Sequence, residues 1–184
     1  MRVIAGTARR LLLKTPAGEA TRPTQDRIKE TLFNIIQDDI YGCRFLDLFS
    51  GSGGIGIEAL SRGAAHAVFV DSSKDAQGCI RENLNHTHLA DSATVLSSDV
   101  FASLPAIERE GPYSIVYMDP PYDTGADERA LAMLASSKAI NEDSLVILET
   151  SLRRETDFAS DAGFDIVREK RYKTNKHLFL KRRS

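Results

Sequence analysis

The sequence predicts an α/β fold: a mostly parallel seven-stranded sheet covered by helices, a C-terminal antiparallel hairpin and a small N-terminal arm. Three observations predict it. From residue 44 onward, short apolar runs alternate with helical patterns, as right-handed βαβ units require. The last two apolar runs, Phe164–Lys170 and His177–Arg182, are separated by only about six residues. That link is too short for a crossover helix, so the two runs should pair antiparallel. Finally, 184 residues that are 42% hydrophobic and 27% charged suit one soluble domain with a substantial core.

The elements follow in order. Residues 1–14 read as a short hairpin or extended arm, and Pro16 to Pro23 as a loop. Thr24 is placed to cap a helix, with Asp26 in its first turn. Ile28, Leu32, Ile35 and Ile36 then give that helix one apolar face. Strands are expected at Arg44–Phe49, Ala67–Asp71, Ala93–Ser97, Ser114–Asp119 and Leu145–Glu149, before the two hairpin strands. Helices are expected at Ile55–Arg62, near 73–86, at Asp127–Ser136 and at Arg154–Ala162. The organisation is a basic arm and helix over residues 1–41, packed on a core domain over 42–184. If Phe164–Lys170 runs parallel to its neighbours, the basic loop 171–176 lies at the sheet's carboxyl rim, where open α/β sheets bind ligands.

Composition excludes several classes. No apolar run approaches the roughly 20 residues of a membrane helix. Met1–Gly6 lacks the apolar stretch of a signal peptide, so a cytoplasmic protein is expected. Cys43 and Cys79 are too few for a disulfide framework and read as reduced, buried thiols. His66, His86, His88 and His177 have no zinc spacing and no nucleophile beside them; they read as surface or locally hydrogen-bonded residues, and no metal is expected. Charge is uneven. Residues 1–30 hold seven Lys/Arg against three Asp/Glu, and residues 168–184 hold eight against one, within a net charge of −2. An acidic body with basic ends suggests a negatively charged partner met by both ends, or two solubilising tails.

Two stretches carry chemistry. In Asp47-Leu48-Phe49-Ser50-Gly51-Ser52-Gly53-Gly54-Ile55-Gly56, Gly51, Gly53 and Gly56 satisfy G-x-G-x-x-G between a strand and a helix. Asp71 ends the next strand about 20 residues on, placed to hold ribose hydroxyls. Asp47 points a carboxylate toward the crevice, which suits a cation better than a pyrophosphate. Asp99, past the third strand, can accept from an adenine amino group or cap a helix. Three acids around one glycine turn favour S-adenosylmethionine, a sulfonium and an ammonium without phosphate. The second stretch is Asp119-Pro120-Pro121-Tyr122. An exocyclic amine delocalises its lone pair into its ring. The Asp119 carboxylate and the Pro120 carbonyl can accept both of its N–H bonds and aim the lone pair at a methyl. The tandem prolines fix that geometry in advance, and Tyr122 offers a ring for a base taken out of its helix. The plain alternative is a strand stopped by prolines.

These stretches resemble the S-adenosylmethionine-dependent amino-methyltransferases. The run Arg22-Pro23-Thr24-Gln25-Asp26-Arg27, followed by Glu30, Leu32, Phe33 and Asn34, narrows the resemblance to the bacterial RsmD family, which methylates guanine N2 in small-subunit (16S) ribosomal RNA. It extends from Arg2 to the last strand and implies a Rossmann-like class I methyltransferase fold. It also implies cofactor residues: Asp47, Phe49, Gly51, Ser52 and Gly53 at the methionine end, Asp71 at the ribose, and Asp99 with Val100 at the adenine. Asp119, Pro120 and Tyr122 would meet the guanine. Arg9, Arg10, Arg22, Thr24 and Arg27 on the arm, and Lys173 and Lys176 on the rim loop, would meet RNA. The chain departs from the family at Arg9-Arg10-Leu11, where Arg-Gly-Arg is usual, and at Lys173-Thr174-Asn175-Lys176, where a Gly-Lys-Thr-like turn is common. The expected partner is ribosomal RNA in the small subunit or an assembly intermediate, with a monomer favoured over an obligate oligomer. The rival readings are an adenine-N6 or cytosine-N4 DNA methyltransferase, an NAD-dependent oxidoreductase, and an RNA-binding module without chemistry.

Overall fold

A computed structural model describes residues 1–16 and 23–183, without the side chains of Pro23 and Thr24. Helix α1 spans Pro23–Ile35 and the single turn α2 spans Gln37–Ile40. There follow β1 (Arg44–Leu48), α3 (Gly54–Ser61), β2 (His66–Val70), α4 (Lys74–His86), β3 (Ala93–Leu96) and α5 (Leu104–Glu110). Then come β4 (Ile115–Met118), α6 (Ala126–Ser136), β5 (Leu145–Ser151), α7 (Asp157–Asp161), β6 (Phe164–Arg171) and β7 (Asn175–Arg182). No helix among the described residues is long and apolar enough to cross a membrane.

The seven strands form one sheet in the order β3-β2-β1-β4-β5-β7-β6. Strands β1 to β5 pair in parallel, and β7 runs antiparallel to both β5 and β6. The expected hairpin is therefore present, with β6 parallel to β5 and only residues 172–174 between the last two strands. The chain winds one way from β1 to β3 and the other way from β4 onward. The crevice between the carboxyl ends of β1 and β4 is thus the topological switch point, where ligands enter such sheets.

Side chains alternate across the sheet and bury two layers. On one face, Phe45, Phe69, Ile115, Ile147 and Phe179 meet α1, α3 and α4 through Leu32, Phe33, Ile57 and Ile80, joined by Ile36 just past α1. On the other, Leu46, Leu48, Val68, Val116, Met118 and Leu148 meet α5, α6 and α7 through Ile107, Leu131, Leu134 and Ala159. Val3, Ala8 and Leu13 of the arm join the first layer.

The arm is tied down by polar groups as well. Arg2 and Leu12 bridge antiparallel. Gly6 passes so close to α3 that a Cβ there would lie 1.7 Å from the Ser61 carbonyl oxygen, so no larger residue fits. Glu58 of α3 has no exposed surface and accepts from Ile4 N (2.8 Å), Ala5 N (3.0 Å) and Arg62 Nε (2.8 Å), with the Lys29 ammonium at 3.2 Å. Lys29 also donates to the Arg2 carbonyl at 2.7 Å. One buried carboxylate thus joins arm, α1 and α3.

The structure corrects several expectations. Helix α1 begins at Pro23, so Thr24 lies inside the first turn and does not cap it; Pro is suited to the first helical position because it needs no N–H partner there. The buried face of α1 is Lys29, Leu32 and Phe33, with Ile28 and Ile35 only half-buried; buried Ile36 lies just past the helix. The expected helix 154–162 contracts to Asp157–Asp161, and β5 runs on to Ser151. Helices α2 and α5 were not anticipated.

Candidate active site

Register places the ends of the parallel strands level: Leu48 pairs with Val70 and Met118, and Val70 with Leu96. The residues that follow these ends therefore share one rim. After β1 the chain turns sharply, with Phe49 at φ +60°, a strained conformation for a non-glycine residue. The Ser50 hydroxyl donates to the Asp47 carbonyl at 2.6 Å and accepts from Val70 N at 2.9 Å, pinning the turn to β2. Gly51 N donates to Asp71 Oδ2 at 2.9 Å, and Ser73 N to Asp71 Oδ1 at 2.8 Å. Asp71 thus braces two loops across the crevice. Ser52 is buried and lies against the Met1 thioether, Oγ to Sδ 3.9 Å.

Asp47 is buried, and its Oδ2 accepts from Gly56 N at 2.9 Å. A Cβ at Gly56 would sit 2.4 Å from the Phe69 ring and 3.1 Å from that oxygen, so glycine lets α3 close onto the strand acid. Burial pushes the Asp47 carboxyl up to about 8, against the pull of the Gly56 N–H and with a further push from Asp71. A buried acid held so poorly as an anion is suited to an incoming cation. Asp99 is exposed, and its Oδ1 accepts from Phe101 N (2.9 Å) and Ala102 N (3.2 Å), so it caps the turn after β3; Val100 beside it is buried.

Asp119 follows β4 directly and is exposed, Pro120 is buried and Tyr122 is 46% exposed. The Tyr122 hydroxyl is raised above its ordinary range by burial and then by the charges of Glu149 and Asp119. Asp47, the glycine turn, Asp71, Asp119 and Tyr122 thus gather at the switch point.

Around them the structure adds residues that sequence reasoning missed. Glu149 of β5 stands one position beyond the Met118–Leu148 pair, beside Asp119. Its Oε2 accepts from the Tyr117 hydroxyl at 2.6 Å and lies 2.9 Å from His177 Nε2, while Asn175 Nδ2 donates to Oε1. The Tyr172 hydroxyl lies 3.2 Å from His177 Nδ1. Both Tyr117 and Tyr172 meet the His177 ring edge-on, with centroids 6.0 and 4.9 Å away. Burial pushes the Glu149 carboxyl up, but the hydrogen bond and charge of His177, and then the hydrogen bonds from Tyr117 and Asn175, outweigh it and hold the acid below its ordinary value. The signal for Glu149 was in the chain: like Asp47 and Asp71, it is an acid at the carboxyl end of an apolar run.

The basic residues divide. Arg9, Arg10 and Arg27 line one groove of about 440 Å³ with Arg2, Asp26 and Glu30, between arm and α1. Lys173 is exposed on the rim loop. Lys176, expected to face RNA, turns inward: it is buried, and its ammonium donates to the Arg154 carbonyl at 2.9 Å. Arg22 and the side chain of Thr24 lie outside the described residues. Among the described residues no group of three His, Cys, Asp or Glu side chains could hold a metal ion.

Comparison with known proteins identifies the family. The family model described as "Conserved hypothetical protein 95" matches residues 1–181. A Bacillus subtilis (strain 168) protein, "Putative rRNA methyltransferase YlbH", is 39% identical over 168 residues, covering 91% of this chain and 90% of its own length. "Ribosomal RNA small subunit methyltransferase D" of Escherichia coli (strain K12) is 34% identical over 152 residues, covering 83% of this chain and 75% of its own. The solved structure titled "Putative methyltransferase yhhF from Escherichia coli" superposes with a TM-score of 0.83 at 30% identity, covering 100% of this chain and 98% of that one. The chain belongs to the conserved hypothetical protein 95 family, the RsmD family of ribosomal RNA methyltransferases.

Proposed function

We propose that this chain methylates ribosomal RNA, moving a methyl group from S-adenosylmethionine to the exocyclic N2 amine of a guanine in the small subunit. The observation that carries the reading is the meeting of Asp119-Pro120-Pro121-Tyr122 with the Asp47 turn at the switch point of the sheet. The names of the relatives support an RNA substrate, and the resemblance of residues 22–34 supports guanine. The arm and α1, residues 1–41, would be the RNA-guiding part, and residues 42–184 the transferring part. The protein would work as a monomer in the cytoplasm, on the subunit or an assembly intermediate.

The residues present fit the cofactor. Among the described residues no cation pairs with Asp47, which would receive its ammonium, with Asp71 holding its ribose and Asp99 with Val100 its adenine. S-adenosylmethionine supplies a methyl group made electrophilic by its sulfonium. The chain supplies position. Asp119 and the Pro120 carbonyl accept the two amine N–H bonds, Tyr122 stacks on the base, and buried Pro120 keeps the frame from relaxing. No strong base is needed, because the amine becomes acidic only as it is alkylated and Asp119 is there to take its proton. Arg9, Arg10 and Arg27 meet phosphates, which orient the RNA without reading its sequence.

The test is tritiated methyl transfer to small-subunit particles, naked ribosomal RNA and duplex DNA, followed by mapping of modified bases. N2-methylguanine in ribosomal RNA is the expected product. Label in N6-methyladenine or N4-methylcytosine of DNA alone would overturn the reading in favour of the DNA amino-methyltransferases.

A further inference from the structure

We propose that Glu149 is a positioning residue for the methyl transfer: an anion fixed beside Asp119 that stabilises the positive charge growing on the acceptor amine. The inference deepens the function proposed above and rests on it. Four observations carry it. Glu149 extends β5 next to Asp119 in the parallel register, so the two acids are neighbours on the rim. Its three donors are Tyr117, Asn175 and His177, on β4 and β7. Glu149 can only accept, so His177 Nε2 carries a proton, and Nδ1 is left to accept from the Tyr172 hydroxyl. Together the imidazole, the Tyr117 hydroxyl and the Asn175 amide hold the carboxylate ionised and fix it in place. Finally, that charge reaches the site: after burial, it is the next cause that raises the hydroxyl of Tyr122.

The reaction gives such an anion work to do. The amine lone pair forms the new N–C bond while the C–S bond breaks and leaves its electron pair on sulfur. Positive charge therefore moves from sulfur to nitrogen, and a proton then passes from nitrogen to Asp119 and on to solvent. A fixed negative charge nearer the nitrogen than the sulfur favours the transition state over the bound ground state, which is what raises kcat.

Glu149→Gln removes the charge and keeps the shape. The new amide needs an acceptor, and Asn175 Oδ1 is buried without a partner, so a flip of the Asn175 amide supplies one. We expect kcat on ribosomal RNA to fall about tenfold or more while KM for RNA and cofactor changes less than threefold. A second readout needs no turnover. The chain has five tyrosines, and 3-fluorotyrosine labelling with 19F NMR, assigned through Tyr122→Phe, follows each one. At neutral pH the Tyr122 signal should shift in Glu149→Gln relative to the wild type, while that of distant Tyr41 stays in place. Full kcat in an active, folded Glu149→Gln variant, or an unmoved Tyr122 signal, would overturn the role of Glu149 alone. A wild-type chain inactive on every RNA tested would overturn the proposed function, and this role with it.

Discussion

Two glutamates, Glu58 fully buried and Glu149 half-buried, divide this molecule between them. Glu58 sits behind the glycine turn and Glu149 beside Asp119, and each collects several donors. Glu58 faces two cations, Lys29 and Arg62, so its charge is met where it stands. It behaves as a joint. Glu149 is held by a hydroxyl, an amide and the His177 ring, with no Lys or Arg paired to it among the described residues, and its charge reaches the Tyr122 hydroxyl. Asp47 completes the series. With the Gly56 N–H donating to it, burial still drives it toward the neutral acid. The lesson is that burial alone does not fix what an acid does. The number of donors decides whether it is ionised, and the charge of those donors decides whether neighbours feel it.

The comparison can be broken at its extremes. Asp119→Ala should lower methyl transfer about a thousandfold while the thermal midpoint moves by no more than about 2 °C, since the side chain is exposed and its task is alignment. A scintillation assay and a melting curve check the two halves. Lys29→Met should do the opposite at the joint. Stranding Glu58 with part of its countercharge missing should cost roughly 3–5 kcal/mol in urea unfolding, as broken buried ion pairs do. The same unfolding measurement on Glu149→Gln should give less than about 2 kcal/mol. Equal losses in the two variants would erase the distinction between joint and field.

Two smaller effects sharpen it. The Asp47 carboxyl is raised in the folded state from an unfolded value near 4 to about 8. The stability tied to its proton is therefore whole below about pH 4 and lost as pH climbs through 8. Asp47→Asn should gain stability relative to the wild type between pH 5 and 8.5, read as the difference between two urea midpoint curves. Arg27→Ala should reduce the slope of log affinity for RNA against log salt by roughly 0.7 to 0.9, the share of one phosphate contact. An unchanged slope would remove Arg27 from the RNA surface.

Much of the fold was legible because each central strand is an apolar run ended by an acid or a turn, and these are local signals. The hairpin was legible from the length of its link. The face of α1 was not, because a buried Lys29 reads as solvent-facing until its partner Glu58 is known. Helix α5 was hidden by its shortness and by Pro105 near its start. The glycine turn, Asp71 and Asp119 could be placed from spacing and strand ends. The Glu149 cluster could not: Tyr117, Asn175 and His177 lie 26 to 32 residues from it and meet it only through strand pairing. Lys176 misled for the same reason, since its position in a basic run says nothing of which way a strand between two others turns it.

The sheet order has a consequence in time. β7 follows the other six strands in the chain, yet it lies between β5 and β6. During synthesis the earlier strands emerge first, and β5 and β6 must wait with open edges for the strand that joins them. Until it arrives, Glu149 has neither His177 nor Asn175. A nascent chain could thus assemble its glycine turn and Asp119 before its rim is electrostatically complete, and the last strand to leave the ribosome would be the one that switches the site on.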